Sequence, residues 1–175
     1  MRYELIPGVG VNDVKFGMSR DEADAIMGQP KRLITYGDNF PIVKERWEGM
    51  DCAFLLDRAV ECMFFEETPG TFPGSVVYKN IDLFKDKDVI WKLGNHDTPE
   101  MCINDRYVMY ANLGIMIGGF GKTPIFEGKH VILFAPERKE FWYRFLVNNP
   151  YRKIEEHKKR EQELRSQIKE VEDLK

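Results

Sequence analysis

The stretch Gly118-Gly119-Phe120-Gly121-Lys122-Thr123 carries the most suggestive chemistry in the chain. It ends in Gly-Lys-Thr, as a phosphate-binding loop does. That loop, G-x-x-x-x-G-K-T, needs glycine at position 116, where this chain has Met116. It must also open a helix whose N-terminus faces the phosphates. Here Pro124 follows at once, then Ile125-Phe126-Glu127-Gly128 and a strand pattern. The segment therefore reads as a glycine-rich hairpin. His96-Asp97 and Cys102 suggest a metal or a thiol nucleophile, but neither H-x-x-x-H nor C-x-x-C accompanies them. His96 reads as a solvated turn residue, and His130 and His157 as structural ones. Glu66-Glu67 and Asp57 sit at strand ends, where acidic residues are common. The cysteines fall in or near strand patterns, where a thiol behaves as a small hydrophobe. No nucleophile, base and orienting group can be assembled from these residues. The expectation is a protein that is not an enzyme, with no cofactor and no metal.

The elements that hold these residues are bounded by composition. The chain has 175 residues, 43% of them hydrophobic and 13% aromatic, enough for a real core. A formal net charge of −3 gives no general electrostatic case for binding nucleic acid or an anionic membrane. Three cysteines, an odd number, argue for a reducing compartment rather than a disulfide framework. Residues 1–12 lack the apolar core of a signal peptide, and no run is long enough to span a bilayer. The expected location is the cytoplasm.

Phe16 to Pro30, FGMSRDEADAIMGQP, reads as a strand end, a capped helix and a glycine stop. Ser19 and Glu22 form an S-x-x-E capping box. Ala23, Ile26 and Met27 give an apolar face, and Gly28 suits the left-handed stop. A looser copy runs from Leu83 to Asp97, started by Asp86 or Asp88 and stopped by Gly94. The helices are too short to stand alone and must pack on a sheet. Tyr3–Ile6 reads as a short edge strand and Val11–Phe16 as another strand. Val43–Trp47, Cys52–Leu56 and Val60–Phe65 follow the first helix. Val76–Phe84 reads as the next strand. Arg106–Ala111, Gly114–Ile117 and Lys129–Ala135 follow the second helix. Thr68–Ser75, with two Pro-Gly pairs, is the linker.

The expected fold class is therefore α+β. Two tandem α-β-β-β units, residues 1–68 and 69–136, form antiparallel sheet or sheets with helices on one face. Residues 137–175 form a C-terminal helical segment. Within it Glu137–Val147 is an aromatic helix suited to docking on the sheet, and Asn148-Asn149-Pro150 breaks it. Tyr151–Lys175 is a long charged helix. It reads either as a solvated helix with i,i+4 ion pairs or as a short coiled coil making a homodimer. Ile154, Leu164, Ile168 and Val171 mark the seam, which His157 and Glu161 interrupt.

Helices on one face of a sheet leave the other face open. Trp47, Phe65, Tyr107 and Met109 are expected there, beside Glu45, Glu61 and Arg106. Aromatics, Met and Arg are types that protein interfaces favour. This is the candidate partner-binding set.

The string FGMSRDEADAIMGQP, echoed at KLGNHD, resembles small bacterial domains with a helix–strand–strand–strand unit. The shared pattern is G-x-S-x-x-E followed by an L/M-G-x-P stop, and the resemblance spans roughly Val11 to Pro136. Two units in tandem look like the β-lactamase inhibitor protein architecture. One unit resembles the small outer-membrane assembly lipoproteins of the same superfamily. Similar duplicated domains occur among cytoplasmic immunity proteins of bacterial toxin systems. The chain has no signal peptide, lipobox cysteine or disulfide pairs, so the resemblance points to the immunity role. It implies a binder of a cognate toxin, whose basic surface the acidic residues would complement. The alternatives are a small-molecule-binding or enzymatic domain using an inter-lobe cleft near His96, Asp97 and Cys102, or an oligomeric scaffold built on the tail.

Overall fold

A computed structural model describes residues 1–35, 41–66, 72, 74–99, 101–103, 107–120 and 128–147; at 101–103 and 145–147 it describes the backbone alone. The chain divides into two compact units, Met1–Lys139 and Glu140–Lys175. The expectations for Arg106 and for Tyr151–Lys175 fall outside the described residues.

The first unit is mixed α+β. It opens with β1 (Arg2–Ile6), the hairpin β2 (Gly10–Val11) and β3 (Val14–Lys15), and α1 (Arg20–Met27). Four strands follow: β4 (Arg32–Thr35), β5 (Ile42–Arg46), β6 (Asp51–Leu55) and β7 (Arg58–Glu66). Then come β8 (Ser75–Tyr78), β9 (Ile81–Asp82) and α2 (Val89–Gly94). The last strands are β10 (Met101–Ile103), β11 (Tyr107–Tyr110), β12 (Ile115–Gly118) and β13 (Lys129–Phe134). A 3-10 turn, Pro136–Arg138, leads into α3 (Lys139–Val147). Among the described residues no helix is long and apolar enough to cross a membrane.

Two sheets result. The smaller runs β3-β2-β1-β8-β9, and the larger runs β10-β11-β12-β13-β7-β6-β5-β4. The larger sheet is antiparallel throughout, and β7 meets β13 at its middle, with Cys62 opposite Leu133. In the smaller sheet β1 pairs in parallel with β8, Tyr3 opposite Val76. The expected edge strand is thus a central one. Two other expected strands are hairpins. Val11–Phe16 turns between β2 and β3, and Val76–Phe84 turns at Lys79, which takes a positive φ of 53°.

The first helix forms as its sequence dictates. The Ser19 side chain accepts from Glu22 N, and the Glu22 carboxylate accepts from Ser19 N at 2.8 Å. Gly28 closes it with φ +79°. The second helix differs from its expected punctuation. Asp88 stands at the N-cap with φ +57° and makes no side-chain cap bond, and Gly94 is the last helical residue without a positive φ. The stop is made further on, where His96 N and Asp97 N both donate to Leu93 O.

One core joins these parts. Cys52, Phe54, Cys62, Phe64, Val131, Leu133, Ile115, Ile117, Val108 and Tyr110 face one side of the larger sheet. Tyr3, Leu5, Val11, Val14, Val76 and Tyr78 of the smaller sheet share the cluster, with Ala23 of α1 and Val89 and Leu93 of α2. The opposite side of the larger sheet is also apolar. Met63, Met109, Met116, Ile132 and Phe134 project there and are buried. Along β7, β11, β12 and β13 the alternation therefore separates two apolar faces rather than an apolar from a wet one.

Candidate functional site

Seven residues are expected from the sequence on one open sheet face, and the structure divides them. Glu61, Phe65, Tyr107 and Met109 do share a face, since β11, β12, β13 and β7 run side by side in register. That face is not open at its centre. Met109 is fully buried, and Glu61 is closed off by Arg138, whose Nε donates to its Oε1 at 2.6 Å. Trp47 and Glu45 lie on the other face. The Trp47 indole joins the core, and its N–H donates to Gly28 O at 2.8 Å. Glu45 stands opposite Cys52 and receives the Arg20 Nε of α1 at 2.7 Å. The reason is phase. Val43 and Glu45 share the core side of β5, and α1 supplies a cation that lets the charged residue turn inward.

At the end of the shared face, Tyr107, Gly118, His130 and Phe65 form one row across four strands. The His130 ring lies over Gly118, where a Cβ would strike it. Tyr107 and Phe65 flank it at 5.4 and 5.9 Å. Only a residue without a side chain leaves room for the imidazole here.

His96 and Asp97 turn to different partners. His96 Nδ1 lies 3.0 Å from Lys79 Nζ, and its ring meets Tyr78 edge-on. The Asp97 carboxylate accepts from Asn112 N, Asn112 Nδ2 and Leu113 N at 2.9, 2.9 and 3.2 Å. It fastens the β11–β12 turn to the end of α2. The side chain of Cys102 is not among those described. Among the described residues no three His, Cys, Asp or Glu side chains are grouped so as to hold a metal.

Glu45 is a buried carboxylate, 1% exposed. Its Oε1 is bound by Arg20, while its Oε2 has no hydrogen-bond partner among the described residues. Burial pushes its pKa up from the usual carboxylate range, and the Arg20 guanidinium only partly offsets this. Such a group can hold a proton at a pH where surface carboxylates have lost theirs.

A further surface feature lies elsewhere. A groove of about 710 Å³ runs beside α2, lined by Phe84, Ile90, Trp91 and Phe120 with lysines at its rim. Its geometry follows from local rules. Asp82 Oδ1 accepts from Phe84 N and Lys85 N, both at 3.2 Å, which turns the chain out of β9. Phe84 stacks on Phe72 at 4.6 Å and approaches Phe120 at 6.1 Å. Val89 and Leu93, one turn apart, bury the inner face of α2. Trp91, two residues on from Val89, must then point outward, and it is 78% exposed. Lys129 Nζ sits 5.3 Å from the Phe120 ring centre, a cation–π distance.

Charge at the groove is mixed but not balanced. Lys85, Lys87 and Lys129 face Asp86 and Asp88. Asp86 is already engaged by Lys92 Nζ at 2.7 Å, a hydrogen bond that holds its carboxyl below its ordinary pKa. The rim is therefore positive in a chain whose net charge is negative.

Phe84, Trp91 and Phe120 are absent from the sequence-derived set. One signal did exist for Trp91. In Val89-Ile90-Trp91-Lys92-Leu93-Gly94 the i,i+4 pair Val89/Leu93 fixes the buried face and leaves the indole outside it. Comparison with family models, with curated proteins and with solved structures returns no match for this chain.

Proposed function

We propose that the chain is a non-catalytic protein-binding protein, a cytoplasmic bacterial immunity or inhibitor protein that neutralises a cognate toxin by direct contact. The single observation that carries this reading is Trp91. An indole left 78% exposed at the mouth of an aromatic groove is the side chain most enriched among binding hot spots. The occupant is an acidic loop of the toxin, in place of the basic surface expected from the net charge, because the groove is rimmed by Lys85, Lys87 and Lys129. Its apolar side chain would seat against Trp91 and Phe120, and its carboxylates would meet the lysines.

The fold reading that accompanies this is a pair of α-β-β-β units joined where β7 meets β13. The order α1-β4-β5-β6-β7 on one side and α2-β10-β11-β12-β13 on the other supports a duplication, with four strands in each half rather than the expected three, because β4 and β10 also join the sheet. So do two matching bonds, Trp47 Nε1 to Gly28 O and Tyr110 Oη to Ile90 O, each tying the end of a strand to the helix of its own half.

The groove volume also lies within the range of roughly 300–1,000 Å³ used by small ligands. That favours, as the second reading, a small anionic aromatic molecule held by the same residues. The test is growth rescue. The product of the gene adjoining this one is expressed alone and together with the chain. Rescue of growth and co-purification of the two proteins support the first reading. Failure of the two proteins to associate overturns it.

A further inference from the structure

We propose that Cys52 and Cys62 are a redox modification site, closing a reversible cross-strand disulfide inside the folded protein. The two residues stand directly opposite each other on β6 and β7. Their sulfurs are 3.9 Å apart, and both side chains are fully buried. Covalent bonding needs the sulfurs to close to about 2.05 Å, with Cβ atoms about 3.8 Å apart. Directly opposed residues in an antiparallel pair hold their Cβ atoms roughly 4.5–5.5 Å apart. Closure therefore draws the two strands together by about an ångström. The register shift between Ala53 and Phe54, next to Cys52, is where the ladder can absorb that movement. A disulfide made under such tension is readily reduced again.

The oxidant is a peroxide. One thiol reacts with hydrogen peroxide to give a sulfenic acid and one water. The second thiol then attacks the sulfenic sulfur. The S–S bond forms, and the hydroxyl leaves with the second thiol's proton as another water. Two electrons pass from the two sulfurs to the peroxide oxygens. A dithiol reductant returns the pair to the starting state by exchange. The hydrogen bond with the Cys62 thiol, followed by burial, pushes the Cys52 thiol well above its ordinary pKa, so little thiolate forms and the pair responds only to sustained oxidant.

The experiment treats the native full-length chain with hydrogen peroxide. It then blocks remaining thiols in denaturant and maps them by peptide mass spectrometry. A peptide pair joined through Cys52 and Cys62, lighter by two hydrogens and reversed by dithiothreitol, is the expected product. It should also form in Cys102→Ser and be absent in Cys52→Ala. The inference is overturned if both thiols remain free. It is equally overturned if either pairs with Cys102, stops at a sulfinic acid, or joins its neighbour only after the chain has been unfolded.

Discussion

The indole N–H of Trp47, at the end of β5, donates to the carbonyl of Gly28, the residue that closes α1, at 2.8 Å. The bond spans from the larger sheet to the helix above it and satisfies a carbonyl that the helix leaves unpaired. Trp47→Phe keeps much of the ring and removes the donor. The expected cost is about 1–2 kcal/mol, from the lost hydrogen bond and the smaller buried ring. Urea unfolding followed by circular dichroism measures it. An unchanged midpoint would mean that the bond adds nothing to the fit of α1.

Glu61 and Arg138 form an ion pair with side chains 5% and 10% exposed. A buried pair is worth little against apolar replacements, but breaking it strands a charge. Glu61→Leu alone should cost about 3–5 kcal/mol. Glu61→Leu with Arg138→Met should recover most of that loss. Chemical denaturation of the two single variants and the double variant gives the coupling. Additive losses in the double variant would contradict this account of the pair.

Gly118 gives way to the His130 ring. Gly118→Ala puts a methyl group into that ring, and either the imidazole or the strand must shift. A loss of about 1–3 kcal/mol is expected. Gly118→Ala combined with His130→Ala relieves the clash, so its loss should fall below the sum of the two single losses. Thermal melts of the three variants decide this.

Glu45 links stability to pH in a direction opposite to the usual carboxylate. Its folded pKa is raised above the ordinary 4.5, so the folded state holds the proton more tightly than the unfolded state does. Its contribution is fully present below about pH 4.5 and is lost as pH rises through the folded value. Glu22 and Asp86 have lowered values, set first by the Ser19 backbone N–H and by Lys92 respectively, and lose their contribution as pH falls. Glu45→Gln removes only the first effect. Its stability relative to the unaltered chain should therefore climb between about pH 4.5 and 7. A difference that shrinks as pH rises would contradict the assignment.

The parts of the fold that were readable from sequence are those written in adjacent residues. The Ser19–Glu22 box, the Gly28 closure and the shared inward face of Cys62 and Phe64 on β7 are local matters of capping and alternation. Val60, expected beside them, falls at the bulge opposite Ala53 and Phe54, and Ala59 joins the core instead. The parallel pairing of β1 with β8 is not local, and nothing in Arg2–Ile6 distinguishes a central from an edge strand. The sheet face carrying Phe65, Tyr107 and Met109 looks like an interface in sequence because methionine and aromatics sit there, and the structure buries Met109 at its centre. Those types also fill cores. Glu45 reads as solvent-facing because its burial depends on Arg20, on a different element. The groove escaped for the converse reason. Phe84, Trp91 and Phe120 come from three separated segments, and only the pairing of β12 with β13 and the turn at Asp82 bring them together.

The most direct test of the binding claim is the equilibrium affinity of Trp91→Ala for the product of the adjoining gene, by isothermal titration beside the unaltered chain. Trp91 is exposed and makes no hydrogen bond among the described residues, so the variant should unfold at the same urea concentration. The account expects at least a 30-fold loss of affinity, equivalent to about 2 kcal/mol at a hot spot. Equal affinity in the two proteins, or no complex with the unaltered chain, would contradict it.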